Sequence, residues 1–132
     1  MPLATRGHTD IVDITENVES FIKNQNLKNG QLLVFINGST AAVSTLEYEP
    51  GLLKDIPAVL EKLIPANQSY HHDATWHDGN GYAHVRSAII GTSKMFPVVN
   101  GSLVRGTWQQ IILLDFDNRP RKRTVYLTFT GE

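Results

Sequence analysis

The segment "YHHDATWHDGNGYAH", residues 70–84, concentrates side chains that could do acid–base or metal chemistry. It holds four of the five histidines in the chain, together with two aspartates and an asparagine: His71, His72, His77, His84, Asp73, Asp78 and Asn80. Zinc and related ions bind neutral imidazole through three or four converging ligands. His72 and His84 converge only if the segment folds back, and no HExxH motif is present. Spacing alone slightly favours a polar surface loop over a metal site.

A second candidate is the small-residue turn "NGSTAA", which directly follows a strand-like run. Gly38 frees backbone N–H groups, and Ser39 and Thr40 add hydroxyls, so the turn can cradle an anion. It lacks the lysine and spacing of a P-loop, and an ordinary turn has the same composition. Arg86, close to His84, is either an anion clamp or a surface arginine of a helix. For both features the residues alone favour the structural interpretation.

Three further residues have functional alternatives that their positions alone do not favour. Glu47 ends a strand-like run, and its carboxylate is either a solvated group at the end of the strand or a general base. Trp108 and Gln109 follow a turn, where an indole most often packs in the core and a glutamine bonds to backbone. The basic run "RPRKR", residues 119–123, indicates a solvated hairpin rather than a nucleic-acid patch, because no aromatic residues are interleaved with it.

Composition limits the class of protein that could carry these residues. The chain has 132 residues, enough for one domain with its own core. Twelve basic and thirteen acidic side chains give no overall field for nucleic acid or an anionic membrane. Cysteine is absent, which excludes disulfides and Cys-type metal sites. No signal peptide or membrane-spanning run is evident, so we expect a single domain over residues 1–132 in a soluble cytoplasmic protein.

The first half of the chain shows alternating strand and helix patterns. A strand enters near residues 11–14, and "TENVESFIKNQN" predicts a helix with Thr15 as its N-cap. The apolar run "QLLVFIN" predicts a buried strand, followed after the small-residue turn by a strand up to Glu47. Asp55 precedes Pro57, which predicts a helix starting there and ending at Pro65.

The second half places the histidine segment between two helices. We expect residues 70–79 to form an internal loop and Asn80 to cap a helix that Gly91 ends, with Tyr82, Val85 and Ile89 as its apolar stripe. The remaining residues predict strands, the last two joined as a hairpin across residues 117–120. The order predicts an α+β fold with a mostly antiparallel sheet and about three helices.

Several separated strings resemble one known family. They are "GSTAAVSTLEYEPGL", Y-x-H-D at residues 70–73, W-x-D-G-N-G-x-A-H at residues 76–84, "IIGTS", and "VVNGSLVRGTWQQIILLDFDNRPRKR". The match is colinear over nearly the whole chain, and "GSLVRGTWQ" is its most specific part. On these motifs the chain is identified as a member of the YjbQ family, also called UPF0047 or the secondary thiamine-phosphate synthase family.

The resemblance implies a compact α+β domain that assembles as a homotrimer, with a polar pocket near subunit contacts and a weak thiamine-phosphate synthase activity. It implies that His72 and His84 hold a divalent metal, zinc or magnesium. Other positions that match the family motifs are Glu47, Asn80, Trp108 and Gln109. Where many members have a histidine this chain has Gly38, so a metal here would lack one donor.

Two classes of function remain open from the sequence. In the enzyme hypothesis, a pyrimidine methyl diphosphate is joined to a thiazole phosphate with release of diphosphate. Substrate binding is then assigned to Ser39, Thr40, Arg86 and Trp108, and catalysis to Glu47, Asn80, His84 and Gln109. The alternatives are a trimeric module that binds a metal or phosphorylated metabolite, and a metal-assisted hydrolase. We expect a small phosphorylated substrate as partner, with no nucleic acid and no membrane.

Overall fold

The computed structural model describes residues 1–132 as eight strands and four helices. The strands are β1 Pro2–Thr5, β2 Asp10–Asp13, β3 Gly30–Ile36, β4 Ala41–Leu46, β5 Ser93–Val99, β6 Ser102–Leu103, β7 Gln110–Asp115 and β8 Arg121–Gly131. The helices are α1 Thr15–Asn24, α2 Pro50–Leu63, α3 His71–Trp76 and α4 Gly81–Ile90. None of the helices is long and apolar enough to cross a membrane.

The strands form two sheets in which every pairing is antiparallel. The larger sheet has the order β1-β8-β3-β5-β6, and the smaller has the order β2-β7-β4. In the smaller sheet Ala41 pairs with Asp115 and Leu46 with Gln110. The predicted α+β class with mostly antiparallel strands is therefore confirmed. The register also fixes which residues share an end of the smaller sheet, and this decides where the candidate site lies.

The main core lies between the two sheets and α1. Period-two burial along β3 points Leu32, Val34 and Ile36 into it, and Val18 and Ile22 enter from α1. Each of these side chains is at most 1% exposed. Fully burying a side chain of this size stabilises the fold by about 1.5–3 kcal/mol.

A second core covers the other face of the smaller sheet. Ala42, Ile112 and Leu114 point from β4 and β7 toward α2 and α4, where they meet Leu60 and Tyr82. Residues 41–43 of β4 and 111–114 of β7 are buried on both faces, and these runs are continuously apolar rather than alternating. Packing against this face holds the start of α4 beside the end of β7.

Two predicted helix starts are wrong. Helix α2 begins at Pro50, and the Glu49 carboxylate caps it by accepting hydrogen bonds from the amides of Gly51 and Leu52. Pro57 therefore lies inside the helix instead of in its first turn. Thr15 is the first residue of α1 and not its N-cap. Its hydroxyl instead accepts a hydrogen bond from the amide of Ile111, which ties α1 to β7.

Three predictions for the second half also need correction. The histidine segment is not wholly a loop, because it contains the short helix α3. Helix α4 starts after Asn80 and ends before Gly91 as predicted, but Val85 and Ile89 are exposed and the buried face includes Ala83 and Ser87. Strands β7 and β8 belong to different sheets, so the turn between them crosses between layers and is not a hairpin.

Candidate functional site

The structure brings His72 and His84 together. His72 lies in α3 and His84 in the first turn of α4, and their ring centroids are 4.3 Å apart with the ring planes inclined by 46°. The chain reverses between them through left-handed conformations at His77 and Gly79, with φ of 57° and 68°. The segment therefore folds back so that the two rings meet, which the spacing of the residues had left open.

Asn80 fixes the orientation of His72. The Asn80 side-chain amide donates to Asp117 Oδ1 at 3.3 Å, and its Oδ1 lies 3.1 Å from His72 Nε2. A carboxylate can only accept, so the amide nitrogen faces Asp117 and the amide oxygen faces His72. Asp78 Oδ1 is also 3.3 Å from the same ring nitrogen. With two acceptors before it, His72 Nε2 carries the hydrogen, and Nδ1 is the nitrogen left for other chemistry.

Asp117 holds the Asn80 amide that orients His72. It is fully buried and accepts hydrogen bonds from the Asn118 amide at 2.8 Å, from Thr40 Oγ1 at 3.0 Å and from Arg121 Nε at 2.8 Å, besides Asn80. Burial acts to raise the pKa of Asp117, but these hydrogen bonds favour the charged form and together hold its pKa below the ordinary value. Asp117 is therefore a carboxylate at neutral pH.

A second buried ion pair, between Arg123 and Asp115, connects the small-residue turn to Asp117. Arg123 donates through Nε and Nη2 to both oxygens of Asp115 at 2.7 and 2.9 Å. Its Nη2 also donates to Thr40 Oγ1 at 2.6 Å. A continuous chain of hydrogen bonds thus runs from His72 through Asn80, Asp117 and Thr40 to Arg123. The Thr40 hydroxyl is used within this chain, whereas Ser39 is exposed.

The His84 imidazole is mainly neutral at pH 7. Burial lowers the pKa of His84, and positive charge on His72 lowers it further, against weaker opposing effects of Asp78, Asp117 and Asp73. A neutral imidazole offers one hydrogen-bond donor and one acceptor. The His84 ring can therefore receive a proton at neutral pH, which is the property of a general base.

The remaining predicted catalytic residues lie elsewhere in the chain. Glu47 follows the last residue of β4, and Gln109 precedes the first residue of β7, where it donates to Thr45 Oγ1 at 3.3 Å. Both are at the opposite end of the smaller sheet from Asp117, which is about 20 Å away along a six-residue strand. Trp108 is at that same far end and is 71% exposed. Within one chain these three residues do not meet the histidines.

Arg86, the predicted anion clamp, is engaged inside the protein. It is 2% exposed, and its Nε and Nη2 donate to the carbonyl of Ile64 at 3.1 and 2.7 Å. Nη1 donates to Thr9 Oγ1, and Nη2 pairs with Glu61 at 3.0 Å. These contacts satisfy the C-terminal end of α2 and dock it on α4, which is a structural role.

The donors of a single chain do not make up a metal site. His72 and His84 are near one another and Asp78 approaches His72, but no group of three histidine or acidic side chains is arranged to hold an ion. A closed or catalytic zinc site requires at least three protein ligands. Metal binding at His72 and His84 stays a prediction.

The sequence interpretation missed the role of Asp117. It also missed Arg121, which pairs with Asp117, and Arg123, which pairs with Asp115. Residues 119–123 were expected to be solvated, yet Arg123 is 8% exposed and Arg121 is half-buried. Alternation along a strand was the available signal, because residues 121 and 123 lie on one face and Lys122 on the other. Asp115 and Asp117 also follow an apolar run, where a carboxylate needs a buried partner.

Comparison with known proteins gives one family over the whole chain. A family model described as UPF0047 protein YjbQ-like matches residues 1–132. A UPF0047 protein of Methanothermobacter thermautotrophicus is 37% identical over 132 residues, which cover 100% of this chain and 90% of that protein. UPF0047 protein YugU of Bacillus subtilis is 32% identical over 133 residues, covering 99% and 97% of the two chains.

Solved structures agree with this assignment. The crystal structure of a YbjQ-like protein from Sulfolobus solfataricus P2 has a TM-score of 0.92 at 34% sequence identity, and the match covers 100% of this chain and 96% of that one. The hypothetical protein APE1520 from Aeropyrum pernix K1 has a TM-score of 0.91 at 34% identity, with 100% and 98% covered. Sequence, length and fold all agree, and the chain belongs to the YjbQ-like UPF0047 family.

Proposed function

We propose that His72 and His84 form the acid–base centre of a transferase that makes thiamine phosphate, as a weak or secondary activity. The observation that carries the proposal is the histidine pair itself, with ring centroids 4.3 Å apart above a buried carboxylate. Two imidazoles in contact can hold and pass protons near neutral pH, where few other side chains titrate. The reaction is the one implied by the motifs at residues 70–84 and 101–109.

The chemistry needs a stabilised leaving group. The bond between the pyrimidine methylene carbon and the diphosphate oxygen breaks, and the electron pair leaves with diphosphate. The thiazole nitrogen supplies the pair for the new carbon–nitrogen bond. A proton or cation at the departing oxygen lowers the barrier.

The surroundings of each ring assign its part in this step. His72 faces the Asp78 carboxylate at 3.3 Å and is the proposed proton donor to diphosphate. His84, with its lowered pKa, is the neutral ring that can accept a proton from solvent and pass it to His72 after His72 has given its own to diphosphate. Asn80 is a positioning residue, because its amide sets which nitrogen of His72 carries hydrogen.

We also propose that the chain works as a homotrimer. Glu47, Trp108 and Gln109 lie at the far end of the smaller sheet from the histidines, so they can join one site only if another subunit brings them there. Trp76 and Trp108 are 70% and 71% exposed, which is unusual for tryptophan in an isolated domain and typical of a contact surface. Light scattering tests this directly, and a monomer at assay concentration contradicts it.

The synthase proposal is tested by assaying purified protein with both substrates and quantifying thiamine phosphate by chromatography. His72→Asn and His84→Asn should each lower kcat by about 100-fold or more, since acid–base groups contribute that much. His71→Asn is the matched control, because the side chain of this exposed neighbour makes no hydrogen bond and its replacement should leave the rate unchanged. Circular dichroism checks that all three fold.

The outcome separates the classes of function. Wild-type product formation that both pair variants abolish supports the enzyme. Equal rates in all variants would show that the pair is not the site. A folded trimer with no product above a no-protein blank would contradict synthase activity and favour a binding module.

A further inference from the structure

The guanidinium of Arg123 has one nitrogen that nothing in the chain uses. Its Nε and Nη2 bind Asp115 and Thr40, but Nη1 makes no hydrogen bond. The residue is 8% exposed, and Nη1 is an end of it that water reaches, because no fully buried side-chain nitrogen or oxygen lacks a hydrogen-bond partner. A charged donor that is held in place by its other two nitrogens and left unpaired at the surface is available to an anion.

Nη1 points at the small-residue turn. A Cβ placed on Gly38 would lie 2.7 Å from Nη1, closer than side-chain atoms approach one another. Glycine is therefore what leaves the space in front of this nitrogen open. Any other side chain at position 38 would cover Nη1 or displace it.

The same turn supplies further donors. The amide N–H groups of Gly38, Ser39 and Thr40 donate no hydrogen bond within the chain, although the amide of the preceding residue, Asn37, donates to the Thr124 carbonyl. Three successive free N–H groups beside an arginine are the elements of a phosphate cradle. Ser39 adds an exposed hydroxyl.

The charges nearby do not oppose an anion there. Asp115 is bound at both oxygens by the Nε and Nη2 edge of Arg123, so its charge is neutralised on the side away from Nη1. Asp117 is paired with Arg121 at 2.7 Å. These four charges sum to zero, so no net negative charge opposes an anion, and the free amides and Nη1 supply hydrogen-bond donors for it.

We propose that Arg123 Nη1 and the amides of residues 38–40 form a subsite for a phosphate group. It deepens the proposed function and rests on it for the identity of the substrate, since both thiazole phosphate and the released diphosphate carry the required oxygens. The hydrogen-bond chain from Arg123 through Thr40 and Asp117 to Asn80 connects the subsite to His72. Arg123 here takes the role that the sequence assigned to Arg86.

The test is a titration of the full-length protein with inorganic phosphate and, separately, inorganic diphosphate, followed by ¹⁵N–¹H NMR at constant ionic strength and pH. The amides of residues 38–40 should shift and saturate. Gly38→Ala should weaken binding by about tenfold or more, the effect of losing a charge-assisted hydrogen bond. Gly106→Ala is the matched control, because its added Cβ meets only ordinary contacts at 3.5 Å or more. Tighter binding of diphosphate would assign the subsite to the leaving group.

Arg123→Lys is a second variant, which keeps a cation for Asp115 but removes Nη1, and should also weaken binding. The proposal is overturned if the wild-type amides do not shift, or if Gly38→Ala and Gly106→Ala bind equally well. Shifts confined to the exposed turn residues 118–120 would overturn it too. Anion binding at residues 38–40 without product formation would retain the subsite and reject the synthase. If Gly38→Ala keeps synthase activity with the KM of wild type, the synthase is retained and the subsite is rejected.

Discussion

Replacing Asp117 with asparagine removes the charge on which the candidate site is built. The carboxylate is fully buried and accepts from Asn80, Asn118, Thr40 and Arg121. Asparagine offers one accepting oxygen in place of two, so at least one donor is left facing the amide nitrogen. The Arg121 side chain, which is 32% exposed, also loses its counter-charge.

The expected loss of stability follows from these contacts. Removing one partner of a buried ion pair costs about 3–5 kcal/mol, and water around the half-buried Arg121 reduces this, so we expect about 2–4 kcal/mol for Asp117→Asn. The assay is urea unfolding at pH 7, followed by far-UV circular dichroism at one protein concentration. Asp55→Asn, at an exposed position on α2, is the control and should stay within about 0.5 kcal/mol of wild type.

The pH dependence gives an independent check. The folded-state pKa of Asp117 is below its ordinary value of 3.8, so the charge stabilises the fold at any pH above that value. The contribution is lost as the pH falls through the folded-state pKa. The difference between wild type and Asp117→Asn should therefore be largest at pH 7 and shrink below about pH 4. A difference under about 1 kcal/mol at pH 7 would refute the reasoning.

Three further predictions test single contacts. Arg86→Met should destabilise the fold by about 2–3 kcal/mol in urea unfolding, because the Ile64 carbonyl loses its donors. A normal stability with weaker phosphate binding would instead support an anion clamp. Glu49→Ala should cost about 1 kcal/mol as the loss of a helix cap, and an unchanged midpoint would place the start of α2 elsewhere. Wild-type stability should fall between pH 7 and 5, because the lowered pKa of His84 means that the unfolded state takes up the proton first. His84→Asn should flatten that slope, and an identical slope would contradict the assignment.

The fold was largely predictable because its strongest patterns are local. The apolar run before Asn37 and the stop at Gly91 both mark elements that the structure contains. Helix α2 was misplaced because two capping signals compete in one stretch. In the structure Glu49 caps the helix and Pro50 is its first residue, whereas the sequence interpretation placed the helix start at Asp55 and Pro57.

The site was predictable only in part, since its connections are long-range. The pairing of His72 with His84 could be proposed from one segment of chain. The link to Asp117 and Arg123 could not, because β7 and β8 lie in different sheets and no local pattern reveals that. The burial of Arg123 depends on Asp115, which only the packed structure brings opposite it.

The most direct test of the account is the titration of His84 by NMR in wild type and in His72→Asn. We expect a wild-type His84 pKa below 6.5 that rises in His72→Asn, because the neighbouring imidazole that helps to lower it is removed while burial remains. His71→Asn should leave it unchanged. If the pKa of His84 is ordinary and does not depend on the residue at position 72, the two rings do not act as one site.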